Sequence, residues 1–264
     1  MPRRTIYIVV EGPHDTAFVG KLLREGPLKL EPVSRLVDVD VFWAKLIPST
    51  YPPKNPRTND EEFKRVRVPD FFQSATHSVA VEWAEGYDQV PTVLKDSLDV
   101  LTAQPDGLGV VVDADKDTAN MVFVDVTAKV LALRPGLSLG AGPGILAVGP
   151  PRAGVFVMPD NVNTGTLEDL LLECAGTAYP ALKPLAESYV NSVANPPVAL
   201  PAGEDREFKK RAGQKKAVLS AMSSILKPGK AVPNTIRDNS WIQPATLVLP
   251  KVKGMSDFIT SLVQ

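Results

Sequence analysis

Leu108-Gly109-Val110-Val111-Val112-Asp113-Ala114-Asp115 is the stretch that decides the fold. An apolar run with no polar alternation reads as a strand buried on both faces, as in a parallel sheet covered by helices on each side. It stops abruptly at Asp-x-Asp. Upstream, Thr5-Ile6-Tyr7-Ile8-Val9-Val10 has the same character and stops at Glu11-Gly12-Pro13. Helical spacing follows each run. From about His14 to Arg24 the apolar residues Ala17, Phe18, Leu22 and Leu23 share a side, and further helices fit 90–101 and 118–132. Strand patterns recur at 37–43, where Val and Asp alternate, at 77–83, and near 144–148 and 154–158. Strands alternating with helices predict an α/β fold with a Rossmann-like, largely parallel sheet and helices on both faces.

Outside this frame the chain changes character. Residues 44–76 hold many prolines and a basic stretch, Lys54, Arg57, Lys64, Arg65 and Arg67, and read as a long loop insertion. Beyond about 176 the pattern is helical to 264, interrupted by prolines at 196–201. A single charged amphipathic helix is expected over 204–226, and 245–264 reads as a short strand and a closing helix. No internal repeat is visible, so 1–264 is read as one domain.

Composition narrows the chemistry. With one cysteine, Cys174, neither an intrachain disulfide nor a cysteine-rich zinc site can form, and a reducing cytoplasm is the expected compartment. The net charge of −1 gives no global pull towards nucleic acid, so affinity for phosphate must be local. No stretch approaches the roughly 20 apolar residues of a membrane helix, and the short apolar segment after the N-terminal arginines is too brief for a secretory signal. Histidine is scarce, with two residues, whereas carboxylates are plentiful, which points to Mg²⁺ or Mn²⁺ over softer metals.

The carboxylates fall where α/β sheets bind ligands, beyond the carboxyl ends of the strands. Glu11 follows the first strand, Asp113 and Asp115 follow another, and Asp160 follows a third. Alternate residues of an extended chain point the same way, so Asp113 and Asp115 can face one ion. Asp117 adds a third ligand or caps the next helix. Asp15 reads as a helix cap. In Gly165-Thr166-Leu167-Glu168-Asp169, Thr166 or Thr164 can cap a helix whose first turn holds two acids. Gly140-Ala141-Gly142-Pro143-Gly144 lacks the Lys-Ser/Thr of a nucleotide-binding loop and reads as a tight turn.

A first strand ending in Glu-Gly-x-x-Asp, here Glu11-Gly12-Pro13-His14-Asp15, followed by a strand ending in Asp-x-Asp, resembles the Toprim domain. That domain occurs in topoisomerases, primases, recombination proteins and OLD-type nucleases. The segment from Pro159-Asp160 to Leu171 resembles a further motif of stand-alone bacterial Toprim-like proteins. The resemblance covers 1–26, 78–175 and part of the C-terminal helices. It implies a Toprim-like fold, Glu11 as metal ligand or general acid/base, and Asp113 and Asp115 as the metal pair. Glu168, with Asp169 behind it, corresponds to the extra carboxylates of OLD-type nucleases, although both also suit a helix N-terminus. Lys215 or Lys216 corresponds to the assisting lysine, although a solvated helix face reads the same way. No tyrosine stands out as a topoisomerase nucleophile. The implied activity is metal-dependent cleavage of nucleic acid, with DNA as the first expectation and a separate ATPase as partner. Lys54, Arg57, Lys64, Arg65, Arg67, Lys209, Lys210 and Arg211 are the candidate backbone contacts. An enzyme acting on nucleotides or phosphorylated small molecules and a regulatory binding module are the alternatives.

Overall fold

A computed structural model describes residues 2–49, 52, 68–195 and 198–263. In chain order the elements are β1 (Arg4–Val10), α1 (Pro13–Glu25), β2 (Glu31–Pro32), β3 (Asp70–Gln73), β4 (His77–Trp83), α2 (Val90–Val100), β5 (Gly107–Asp113), α3 (Ala119–Leu133) and β6 (Arg152–Met158), then the helices α4 (Leu167–Ala178), α5 (Leu182–Ala194), α6 (Ala202–Lys209), α7 (Gly213–Leu226), α8 (Val232–Asp238), α9 (Pro244–Leu247) and α10 (Pro250–Val263). The strands form one sheet in the order β2-β3-β4-β1-β5-β6. β4, β1, β5 and β6 are parallel, and β2 and β3 add an antiparallel edge. The fold is α/β, as the alternation predicts.

The period of two along each strand divides the core. Ile6, Ile8, Val10, Val111, Phe156 and Met158 face one side, against α1 and the C-terminal helices. Tyr7, Val9, Val110, Val112, Val155 and Val157 face the other, against α2 and α3. The glycines in the central strand have a packing purpose. A Cβ on Gly107 would lie 2.5 Å from the Leu262 carbonyl oxygen, and one on Gly109 would lie 2.9 Å from the Leu262 side chain. Their absence of side chains lets α10 close directly over β5.

Several expectations fail at the edges. Residues 37–43 are not a strand but part of two short 3-10 turns, Leu36–Asp38 and Val41–Leu46. Asp40 Oδ1 accepts the Phe42 N–H at 3.0 Å, a local bond that competes with a sheet ladder. Val41 is 85% exposed, while Trp43 is buried and donates its indole N–H to Ser78 Oγ at 2.8 Å. The edge is instead built by β2 and β3, the second of them inside the stretch read as insertion. Near 144–148 only one antiparallel bridge forms, Leu146 with Gly154, beside Gly144 at φ 74°. The helix expected over 204–226 is broken into α6 and α7 where Lys210 leaves helical geometry with ψ 151°, and Gly213 fits the tight join, since a Cβ there would lie within 2.5 Å of two α6 carbonyl oxygens. The closing segment holds α9 and α10 and no strand.

Candidate acidic site at the strand ends

The chain leaves β1 through α1 on one face. After β4 it crosses through α2 on the opposite face to reach β5. The carboxyl ends of β1 and β5 therefore lie at a topological switch point, where crossovers diverge and a crevice opens. Glu11 and Asp113 occupy those two ends. Glu11 Oε1 accepts the backbone N–H of Asp113 at 2.7 Å. Asp113 Oδ1 in turn accepts the N–H of Leu167, in the first turn of α4, at 2.8 Å. One line of hydrogen bonds thus joins all three sequence motifs.

Helix caps fix the surroundings. Asp15 accepts the Gly12 N–H at 2.8 Å, and Asp169 accepts the Thr166 N–H at 3.0 Å. Each acid sits three residues after the cap residue and satisfies one of the donors that a helix start leaves over. The loops are also tied together. Asp115 N–H donates to the Gly165 carbonyl at 2.8 Å, and Gly86 N–H donates to the Glu11 carbonyl at 2.9 Å. Asp115 is left-handed, with φ 52°, so it follows Asp113 through a turn and not through extended backbone.

Two cavities share Asp113 as a lining residue. The first, about 330 Å³, is lined by Glu11, His14, Asp15, Asp113, Glu168 and Lys216 among others. The second, about 220 Å³, is lined by Tyr87, Asp113, Asp115, Asp117, Met121 and Asp125 among others. Asp15 and Glu168 are only 7% and 4% exposed. Burial pushes the Glu11 carboxyl up to about 8, with the charges of Asp15 and Asp115 adding to it and the Asp113 N–H opposing it. Burial and the Glu168 charge raise Asp15 to about 7. Asp113 is driven well above the carboxylate range by burial, then by Asp15, Glu11 and Glu168. His14 is lowered by burial. Burial and neighbouring like charges both disfavour the charged form of such carboxyls.

The donor set is oxygen-rich and hard, which suits Mg²⁺ or Mn²⁺. Among the described residues no three His, Cys, Asp or Glu side chains form a ready cage for an ion. Glu11 and Asp113 are engaged with backbone N–H groups instead. Mg²⁺ needs no full cage, since one or two carboxylates, waters and phosphate oxygens commonly complete its shell. A cation taken up here would be held by Asp113 with Asp115 or Glu11, the acids that line the cavities beside it.

The remaining predicted residues are placed as follows. Asp117 N–H closes a turn on the Ala114 carbonyl, and the cap of α3 is Thr118, whose side chain accepts the Met121 N–H. Asp169 caps α4 and takes Lys215 Nζ at 2.5 Å, an arrangement that serves the helix start. Lys216 lines the first cavity, 3.8 Å from Glu168. Asp160 folds its own loop by accepting the N–H groups of Val162 and Asn163. Lys209 and Lys210 pair with Asp205 and Glu207 near the end of α6. Arg211 donates to Thr164 Oγ1 at 2.9 Å, in the loop that leads to α4. Lys54, Arg57, Lys64, Arg65 and Arg67 lie outside the described residues. Sequence reasoning did not single out Tyr87, Met121 and Asp125. The glycine before Tyr87 was the available signal.

The chain belongs to the family described as "Protein of unknown function (DUF3226)", whose model matches residues 5–264. No curated protein matches it. A solved structure of a hypothetical protein, PH0156 from Pyrococcus horikoshii OT3, is similar at 16% identity and a TM-score of 0.49, covering 98% of this chain and 95% of that one. Among the described residues, no helix is long and apolar enough to cross a membrane.

Proposed function

We propose that this DUF3226 protein is a metal-dependent phosphodiesterase acting on nucleic acid. The carrying observation is the line Glu11–Asp113–Leu167, which gathers two strand-end carboxylates and a helix N-terminus over one acidic crevice. The order Glu-Gly-x-x-Asp, then Asp-x-Asp, on neighbouring parallel strands also supports the resemblance to Toprim domains. Asp113 and Asp115 would hold Mg²⁺ or Mn²⁺, with Glu168 as the further acid. A bound divalent cation supplies charge stabilisation to a phosphodiester attacked by water. Glu11, raised to about 8, takes up and returns a proton near neutral pH. Lys216 offsets the acids of the first cavity and faces the incoming phosphate. Lys215 clamps Asp169, and so the start of α4. Arg211, Lys209, Lys210 and the basic stretch at 54–67 are the proposed backbone contacts, and a separate ATPase is the proposed partner.

The test is cleavage of supercoiled plasmid by purified protein with Mn²⁺, Mg²⁺ or chelator, beside Glu11→Gln and Asp113→Asn. Metal-dependent nicking should appear and fall at least about 100-fold in both variants. Nicking that survives Asp113→Asn refutes the assignment. A second reading, a nucleotide or other small phosphorylated substrate, is favoured by the first cavity's volume of about 330 Å³, which is within the usual range of small-ligand sites. Phosphate release from nucleotides without plasmid cleavage would select it.

A further inference from the structure

The basic stretch 209–216 does not use its charges alike. Lys209 pairs with Asp205, Lys210 with Glu207 and Lys215 with Asp169, and Lys216 lies 3.8 Å from Glu168. Each of these cations is answered by an acid. Arg211 differs. Its described partner is the neutral hydroxyl of Thr164, which accepts from Nη2 at 2.9 Å. Arg211 reaches out from the tight join of α6 and α7, where the Gly213 N–H donates to the Lys210 carbonyl at 2.8 Å.

The segment that Arg211 reaches touches both aspartates of the proposed metal pair. The Leu167 N–H donates to Asp113 Oδ1 at 2.8 Å, and the Gly165 carbonyl accepts the Asp115 N–H at 2.8 Å. The two attachments are secured differently. Leu167 is buried in the first turn of α4, whose start is capped by Asp169 and clamped by Lys215. Upstream, Asp160 folds Val162 and Asn163 onto itself, and those bonds stop short of Thr164. Between these two fastenings lie Thr164, which is exposed, and Gly165, at φ 149°. A Cβ on Gly165 would lie 2.8 Å from Asp169 Oδ2, so only glycine fits there. Asp115 is itself left-handed, at φ 52°, a state that a non-glycine residue keeps where its surroundings fix it. The Gly165 carbonyl supplies that fixing, and Arg211 holds the residue beside it.

We infer that Arg211 is a positioning residue for the metal pair. Its bond to Thr164 steadies Gly165, and the Gly165 carbonyl fixes the turn that brings Asp115 to the cavity it shares with Asp113. This rests on the phosphodiesterase reading, in which Asp113 and Asp115 take the cation. A guanidinium carries five N–H donors, so the role is compatible with the backbone contact proposed above.

The test is amide hydrogen exchange by NMR on metal-free protein, followed by calorimetric Mn²⁺ titration at pH 7. The proteins are the wild type, Arg211→Ala, Thr164→Val, Thr164→Ser and the double variant carrying Arg211→Ala and Thr164→Val. In Arg211→Ala and in Thr164→Val the Asp115 amide should exchange about fivefold faster, as expected for one net hydrogen bond. The Asp113 amide, bonded to Glu11, should keep its rate. Mn²⁺ affinity should fall about fivefold in each, and no further in the double variant, because the two residues act through one bond. Thr164→Ser keeps the hydroxyl and should match the wild type. A general loosening of the fold would instead speed both amides and add up in the double variant. That pattern, an unchanged Asp115 rate, or an unchanged Mn²⁺ affinity overturns the assignment. Absence of Mn²⁺ binding in the wild type overturns it together with the metal reading. The expected pattern without any plasmid cleavage would sink the nuclease reading and leave Arg211 as the positioning residue of a metal site.

Discussion

Two grooves of this molecule are rich in charge, and they treat it differently. At the edge of the sheet, a groove of about 300 Å³ is lined by Lys21, Arg24, Asp70, Phe72, Arg237 and Asp238 among others. Its charges are answered by opposite charges. Lys21, only 5% exposed, lies 3.4 Å from Glu25, Arg24 lies 3.0 Å from Glu25, Arg237 lies 2.6 Å from Asp70, and Asp238 pairs with Lys227. Lys21 and Arg24 also donate to the Arg237 carbonyl near the end of α8. That groove is a fastening between α1, β3 and α8. At the strand ends, Glu11, Asp15, Asp113 and Glu168 crowd together with Lys216 as the lining cation. Carboxyls crowded inside a fold cost stability when charged, and a cluster of such perturbed groups in a cleft is where the proposed site is placed.

The largest expected contrast is in activity. Asp113→Ala should reduce metal-dependent cleavage by at least about 100-fold, whereas Arg237→Ala should leave it within about twofold and only weaken an ion pair. Equal losses in the two variants would erase the distinction between the grooves.

The next contrast is in stability against pH. Glu11 and Asp15 have folded values raised to about 8 and about 7. The folded state therefore keeps protons that the unfolded chain has lost. Their contribution is present in full below the ordinary carboxyl range, and it is lost as pH rises through about 7 and then about 8. Metal-free protein should lose on the order of 2 kcal/mol between pH 5 and 9, read by urea unfolding. Millimolar Mg²⁺ at pH 8 should recover much of that loss by binding the folded state. A flat profile would show that the cluster is not loaded with protons.

Glu11→Gln keeps an acceptor for the Asp113 N–H and removes the charge. It should make the metal-free protein more stable at pH 9 by about 1 to 2 kcal/mol and flatten the profile. Smaller still, Arg237→Ala should cost about 1 kcal/mol in the same unfolding assay with no change in the response to Mg²⁺.

The same contrast explains what was legible before the structure. The strands at 5–10 and 108–113 announce themselves because both faces are buried, and their terminal acids follow from the breaks at Gly12 and Ala114. Asp113 and Glu11 are therefore visible from composition at a strand end. The edge is not visible. Val37-Asp38-Val39-Asp40-Val41 alternates like a strand, but Asp40 turns the chain locally, and the short strand Asp70–Gln73 hides in a stretch whose neighbours are basic. Lys215 and Lys216 are alike in sequence. Only the packing of α7 beside α4 gives one to Asp169 and the other to the cleft. Asp15 is legible as a cap, while its part in the acidic cluster depends on Glu168, more than 150 residues away in the chain. Tyr87 and Met121 meet only through the fold.

The most direct measurement is calorimetric titration of Mn²⁺ into the wild type and Glu11→Gln at pH 7, in two buffers that differ in ionisation enthalpy. Binding at a cluster that holds protons must expel them. The account predicts tight binding with net proton release in the wild type and reduced release in Glu11→Gln. No binding, or binding with no proton release in either protein, would contradict it.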